Sequence, residues 1–329
     1  MRTRPIDRRT FIQQTALAAG ALSVAGTVPA GSAKSAVVEL HRPGVVRQDG
    51  RPGIEAVREM LDSGMRELTG EPLRRDQWRR FVSDTDTVGL KVNGLGGPLI
   101  STKHELVRAV IEALKEAGVK PGNIVVFDRY SEHLKAVVLN SRLEDLGVAV
   151  LSCEDPEGGF DAESTRFASG STHLARILTG RITALINMPI VKDHVLSGTT
   201  VSLKNYSHGL TDKPWEFHNN HCDPYISHVN ALEAVSGKHR LVVADALSGC
   251  CDGGPDYKPN GIVRYDSLFL STDRVALDSV GTERIEAARS EKGFPTLAQA
   301  GRPAKYLATA EALGLGNRDP GRIDHRIVE

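Results

Sequence analysis

Cysteine is scarce in this chain: only Cys153, Cys222, Cys250 and Cys251 occur in 329 residues. So few exclude a fold built on disulfides, and a hydrophobic core must carry the stability. No CxxC pair is present, so no iron–sulfur cluster is expected within this chain. Aromatic residues make up only 5% of the sequence, and no basic patch interleaved with them appears. Basic and acidic residues balance at 41 each, which gives no electrostatic case for a nucleic-acid partner. A GxSxG elbow and an HExxH helix are both missing, so serine-hydrolase and zincin chemistry have little support.

The N-terminal residues are of a different kind. Arg8-Arg9-Thr10-Phe11-Ile12 pairs two arginines ahead of an aromatic and an aliphatic residue, the twin-arginine export signature. A mildly apolar stretch, Thr15 to Val28, is too short and too weakly apolar for a membrane span, and Ala30 and Ala33 offer cleavage points. Residues 1–33 are therefore expected to be a signal peptide, and 34–329 a single α/β domain at work in the periplasm or another extracytoplasmic space. An uncleaved anchor and an Arg-rich disordered start before a helix are the alternatives. Arg2, Arg4, Arg8, Arg9 and Asp7 fall in this segment, which leaves 37 basic and 40 acidic residues, a formal charge of −3. No later apolar run is long enough to cross a bilayer, so no membrane span is expected after signal removal.

Beyond it, β-rich runs alternate with helical spacing. Residues 37–52 read as an irregular lead-in and 53–68 as a helix. Thr87–Asn93 reads as a strand, and Thr102 with Glu105 as a capping box opening a helix to Ala117. Ile124–Asp128, Val148–Cys153, Thr183–Asn187, Leu241–Asp245 and Ser267–Ser271 read as further strands, with helices at 131–146, 225–236, 273–288 and 303–313. Apolar, β-branched strands between helices predict an α/β fold: a mostly parallel open sheet with helices on both faces. Polar residues close several strands: Asn93, Asp128, Asn187, Asp245 and Asp273. Open parallel sheets bind ligands outside the carboxyl ends of their strands, so these residues are expected to share one rim. Ordinary caps of the following helix or turn are the plainer explanation for each one alone.

Four constellations carry chemistry. Lys91 and Asn93 fall on one face of a strand before the Gly94–Gly97 turn and suit a carboxylate or phosphate. Lys192 and His194 precede Lys204 and Asn205; a buried Lys204 would hold an anion, form a Schiff base or carry a proton. His194, His208, His218, His221 and His228 crowd into a loop-rich segment at about 194–228, with Cys222 beside them. Neutral imidazole at this density suits a metal ion or acid–base work, with His218, His221, His228 and Cys222 as the expected ligands. Packing is the simplest role for the adjacent Cys250 and Cys251, against metal binding or a vicinal disulfide.

The segments TVGLKVN, IVVFD, NMPIVKDH with GTTVSLKN, LVVADAL with GGP, and LFLSTDRVALD together resemble domain of unknown function family 362 from about Thr87 onward. Many relatives carry ferredoxin-like cysteine motifs that this chain lacks, so the resemblance implies a fold more than a reaction. His194, ten residues before Lys204, is also similar in spacing to lactate racemase, without the glycine-rich surroundings of that enzyme's lysine. The reading that follows is an enzyme, redox-linked in one version, acting on a small anionic ligand. Lys91, Asn93, Asn187, Lys192, Asn205 and Asp273 would orient it, and His194, Lys204, Asp128 and Asp245 would carry the chemistry. A periplasmic metal- or solute-binding protein, a racemase or epimerase with a nickel cofactor, and a subunit serving a separate redox partner are the alternatives.

Overall fold

A computed structural model describes residues 34–138 and 141–329, so the expected signal peptide lies outside the described residues. Among the described residues thirteen strands and nine α-helices follow one another as β1 (Ser35–His41), α1 (Ile54–Thr69), α2 (Arg74–Arg79), β2 (Val88–Lys91), α3 (His104–Glu116), β3 (Ile124–Asp128), α4 (Ser131–Val138), β4 (Ala149–Ser152), β5 (Thr165–Phe167), β6 (Gly170–Thr172), β7 (Ala184–Asn187), β8 (Ile190–His194), β9 (Gly198–Thr200), α5 (Ser202–Gly209), α6 (Tyr225–Ala231), α7 (Glu233–Ser236), β10 (His239–Cys250), β11 (Ile262–Val263), β12 (Ser267–Ser271), α8 (Arg274–Glu291), α9 (Tyr306–Ala312) and β13 (Ile323–Val328). Among the described residues no helix is long and apolar enough to cross a membrane.

Eleven strands build one sheet with the central order β13-β1-β12-β10-β7-β2-β3-β4. The run from β10 through β7, β2 and β3 to β4 is parallel, and β12 alone of the central order runs against its neighbours. The strands are apolar on both faces because both are covered. In β3, Ile124 and Val126 join the core under α1 and α3, while Val125 and Phe127 face Leu178, Tyr206 and Leu210 on the other side. The same period of two splits β12, whose Leu268 and Leu270 enter the first core and Phe269 packs with α8.

Two expectations need correction here. Residues 35–41 form β1 instead of an irregular lead-in, because the strand is paired on both sides, by β12 and by β13. The capping box does not form: α3 begins at His104, and the Thr102 hydroxyl donates instead to Met188 O at 2.8 Å.

Candidate active site

The carboxyl ends of β2 and β3 meet α5 along one rim, and between them lies a cleft of about 190 Å³. Lys91, Asn93, Asp128, His194, Lys204 and Asn205 all line it. Lys91 closes β2, where its register partners are Phe127 on β3 and Asn187 on β7. Its ammonium, 1% exposed, donates to Asp128 Oδ1 at 2.7 Å, Val92 O at 2.7 Å and Asn205 Oδ1 at 3.1 Å. Asp128 Oδ2 accepts from Gly94 N at 2.8 Å. Two glycines permit this packing: a Cβ at Gly94 would lie 1.8 Å from His133 O, and one at Gly209 would lie 2.5 Å from Lys91 Nζ. Asn205 sits at the centre of an amide chain, accepting from Asn93 Nδ2 at 3.1 Å and donating to Asn187 Oδ1 at 2.7 Å.

On the facing wall, His194 Nδ1 accepts from the backbone N–H of Leu196 at 3.1 Å and of Ser197 at 3.3 Å. The ring proton is thereby placed on Nε2. Burial, then the nearby Lys204, hold the His194 imidazole well below its ordinary range. Burial also pushes Lys204 down to about 8, opposed by the Cys222 thiol, which is 3.9 Å from Lys204 Nζ. His208 lies well below its ordinary value through burial and Lys204, and His218 is lowered by the same causes in the same order. The rings of His194 and His218 stack at 5.8 Å, and those of His208 and His218 are 5.0 Å apart.

Four residues placed at the site by sequence reasoning do not face the cleft. Asn187 is buried behind it, donating to Ser202 O and Oγ at 2.9 Å, and so supports α5 rather than a ligand. Lys192 is fully buried, bonded to Leu95 O and Ile100 O, and burial brings it down to about 7. Asp245 lies mid-strand, because β10 continues to Cys250; its carboxylate accepts from Lys103 N at 2.7 Å and Leu247 N at 3.0 Å, and burial raises it to about 6. Asp273 is at the opposite rim, because it follows the antiparallel β12, and it caps α8 through Val275 N and Ala276 N. His221 and His228 also point elsewhere, His221 to Leu196 O at 3.1 Å and His228 to Ser169 Oγ at 2.8 Å. All four cysteines are free thiols, and Cys250 and Cys251 pack in apolar clusters.

The residue sequence reasoning missed is Arg129. It directly follows Asp128 at the end of β3, so the strand-end rule that selected Asp128 also covers it. Its guanidinium lies under Trp215 at 5.4 Å and beside Tyr130 at 4.7 Å, and Nη2 donates to Asp212 O. Among the described residues its Nε and Nη1 are buried without a partner, and it makes no ion pair. Asn93 Oδ1, Thr200 Oγ1 and His208 Nε2 are likewise buried and unsatisfied, and all four residues line this one cleft. Orphaned buried polar atoms are rare in folded proteins, and five of them gather in this one cleft.

The family model described as Domain of unknown function (DUF362) matches residues 88–283. The chain belongs to this family. The DUF362 match takes in β2 through the first half of α8, and hence every residue named in the cleft. No curated protein matches the chain significantly. A solved structure with a similar fold is that of a Thermotoga maritima protein, a Northeast Structural Genomics Consortium target, at 12% identity and a TM-score of 0.42. The similarity covers 74% of this DUF362 chain and 59% of that one, so the chain spans less than two thirds of that protein's length.

Proposed function

We propose that this protein is an enzyme that binds a small anionic substrate, a carboxylate or phosphate, in the cleft, with His194 and Lys204 beside the reacting atoms. The observation that carries the reading is Arg129: a buried guanidinium with two unpartnered nitrogens and, among the described residues, no ion pair. Among the described residues Lys204 has no acidic partner within ion-pair distance either, so the cleft holds more positive charge than its own carboxylate, Asp128, balances. Burial strengthens each interaction an anion would make there. His194 offers a proton donor in a fixed tautomer, and Thr200 and Asn93 offer a hydroxyl and an amide oxygen to orient the substrate. A carrier would need the cation and the polar rim; the buried Lys91–Asp128 pair and the oriented His194 favour catalysis. Export by the twin-arginine route, through residues 1–33, is part of the proposal.

The test is titration calorimetry of the full chain with inorganic phosphate, acetate and oxalate. Arg129→Met should weaken the anion that binds by roughly tenfold to a hundredfold, the loss of hydrogen bonds to a charged group, with little change in melting temperature. With a 2-hydroxy carboxylate as probe, deuterium entering its α-carbon from D2O in place of the α-proton, and absent in His194→Gln, would separate enzyme from carrier. No binding to the wild type, or equal binding to Arg129→Met, would overturn the reading.

A further inference from the structure

Two histidines of the cleft wall and the buried Cys222 behind them bring three soft or borderline donors together. The side chains of His208, His218 and Cys222 present ligand atoms that all lie within 4.8 Å of one another. Bonds of about 2.0–2.1 Å to nitrogen and about 2.3 Å to sulfur would set those atoms roughly 3.3–3.6 Å apart around a tetrahedral ion. The remaining gap is a side-chain adjustment, and His218 is half-buried at the cleft edge, where a ring has room to turn.

Hydrogen bonding has already sorted the ring nitrogens. His218 Nδ1 lies 3.3 Å from Trp215 O, which can only accept, so the proton sits on Nδ1 and Nε2 keeps its lone pair. His208 Nδ1 lies 2.9 Å from Ser207 Oγ, and that hydroxyl donates onward to Lys204 O at 3.4 Å. Ser207 therefore accepts from Nδ1–H, and His208 Nε2 is left as a buried lone pair with no partner among the described residues. An imidazole whose other nitrogen is held by an oxygen is the arrangement that fixes a metal-binding tautomer. Cys222 is turned inward by an unusual backbone. Asn220, His221 and Cys222 have φ of 49°, 60° and 62°, three consecutive non-glycine residues in the left-handed region. Such conformations carry strain and cluster at functional sites. Here the turn buries the Cys222 thiol beside Lys204 and leaves His221 on the outside.

We infer that His208, His218 and Cys222 hold one transition-metal ion of the zinc class, with its fourth position open to the cleft. Two imidazoles and a thiolate form a closed set of three protein donors, and the open fourth place suits water or an anionic group of the substrate. Binding releases the Cys222 thiol proton to solvent, and the Lys204 ammonium lies where it stabilises the thiolate. The inference differs from the expected ligand set by replacing His221 and His228 with His208. The metal faces the same cleft as the proposed anion, but none of its three ligands is Arg129, so the two readings can be tested separately.

The experiment uses the full chain, stripped by chelator and titrated with Zn2+ by calorimetry and with Co2+ by absorption spectroscopy. The expected result is one ion per chain and a thiolate-to-cobalt charge-transfer band that disappears in Cys222→Ser. His208→Ala and His218→Ala should each lose at least about 100-fold in affinity, while His221→Ala and His228→Ala bind as the wild type does. Should Cys222→Ser fail to fold, His218→Gln at the half-buried position serves as the deciding variant. Absence of stoichiometric binding, or a cobalt spectrum without the thiolate band, overturns the site. Arg129→Met should bind the metal normally, so failure of the anion proposal leaves this result legible.

Discussion

Lys91 Nζ and Asp128 Oδ1 stand 2.7 Å apart at the adjoining carboxyl ends of β2 and β3, with side chains 1% and 7% exposed. Each is also tied to the rim by further bonds: Lys91 to Val92 O and Asn205, Asp128 to the backbone N–H of Gly94 and Arg129. The pair therefore fixes the floor of the cleft, and it consumes the cleft's own negative charge. What remains exposed to a ligand is the positive side of the balance.

Removing one partner leaves an uncompensated buried charge, which costs roughly 3–5 kcal/mol. Lys91→Met and Asp128→Asn should each lower stability by about that amount in urea denaturation. The double variant should recover part of the loss, because no isolated charge is left. Additive losses in the double variant would show that the two side chains act independently.

Asp278 provides a pH signature. Burial raises its carboxyl from 3.8 to about 8, against the bonds it accepts from Leu203 N and Ser202 N, with Tyr306 and Arg274 alongside. A carboxyl raised in the fold contributes stability that is complete below about 4 and lost as pH rises through about 8. Asp245, raised to about 6, adds to the lower part of that window, and Lys192, lowered to about 7, acts in the opposite sense above it. Asp245 and Lys192 are common to both proteins, so the difference between wild type and Asp278→Asn should change with pH from about 4 to about 8. Melting curves of the two proteins that run parallel across that range would rule this out.

The export proposal has a direct check. Replacing Arg8 and Arg9 by lysine should hold the precursor in the cytoplasm, seen by cell fractionation, because the paired arginines are the recognised feature. Normal export of the double variant would remove it.

Much of the fold was legible because its signals are local. Apolar runs such as IVVFD sit where β3 forms; of the strand-end residues Asn93 and Asp128 line the cleft, and Lys91, picked out by strand alternation, lines it with them. What was not legible depended on strand direction and on partners far away. Nothing in LFLS announces that β12 runs antiparallel, and that one reversal sends Asp273 to the opposite rim. Nothing in LVVAD shows that β10 continues to Cys250, which turns Asp245 into a capping group. Histidine density pointed to a segment, yet the backbone turn at 220–222 sends the Cys222 thiol inward and leaves His221 outside, and that turn has no glycine to reveal it.

The N-terminal cap of α5 comes from Asp278, which lies 76 residues further along the chain than Ser202. The helix carrying Lys204, Asn205 and His208 thus has its first turn completed by a segment synthesised much later. During translation the cleft stays unassembled until α8 has emerged and packed against α5. The helix that carries three of the cleft's side chains is in that sense completed late, by a contact reached only near the end of the chain.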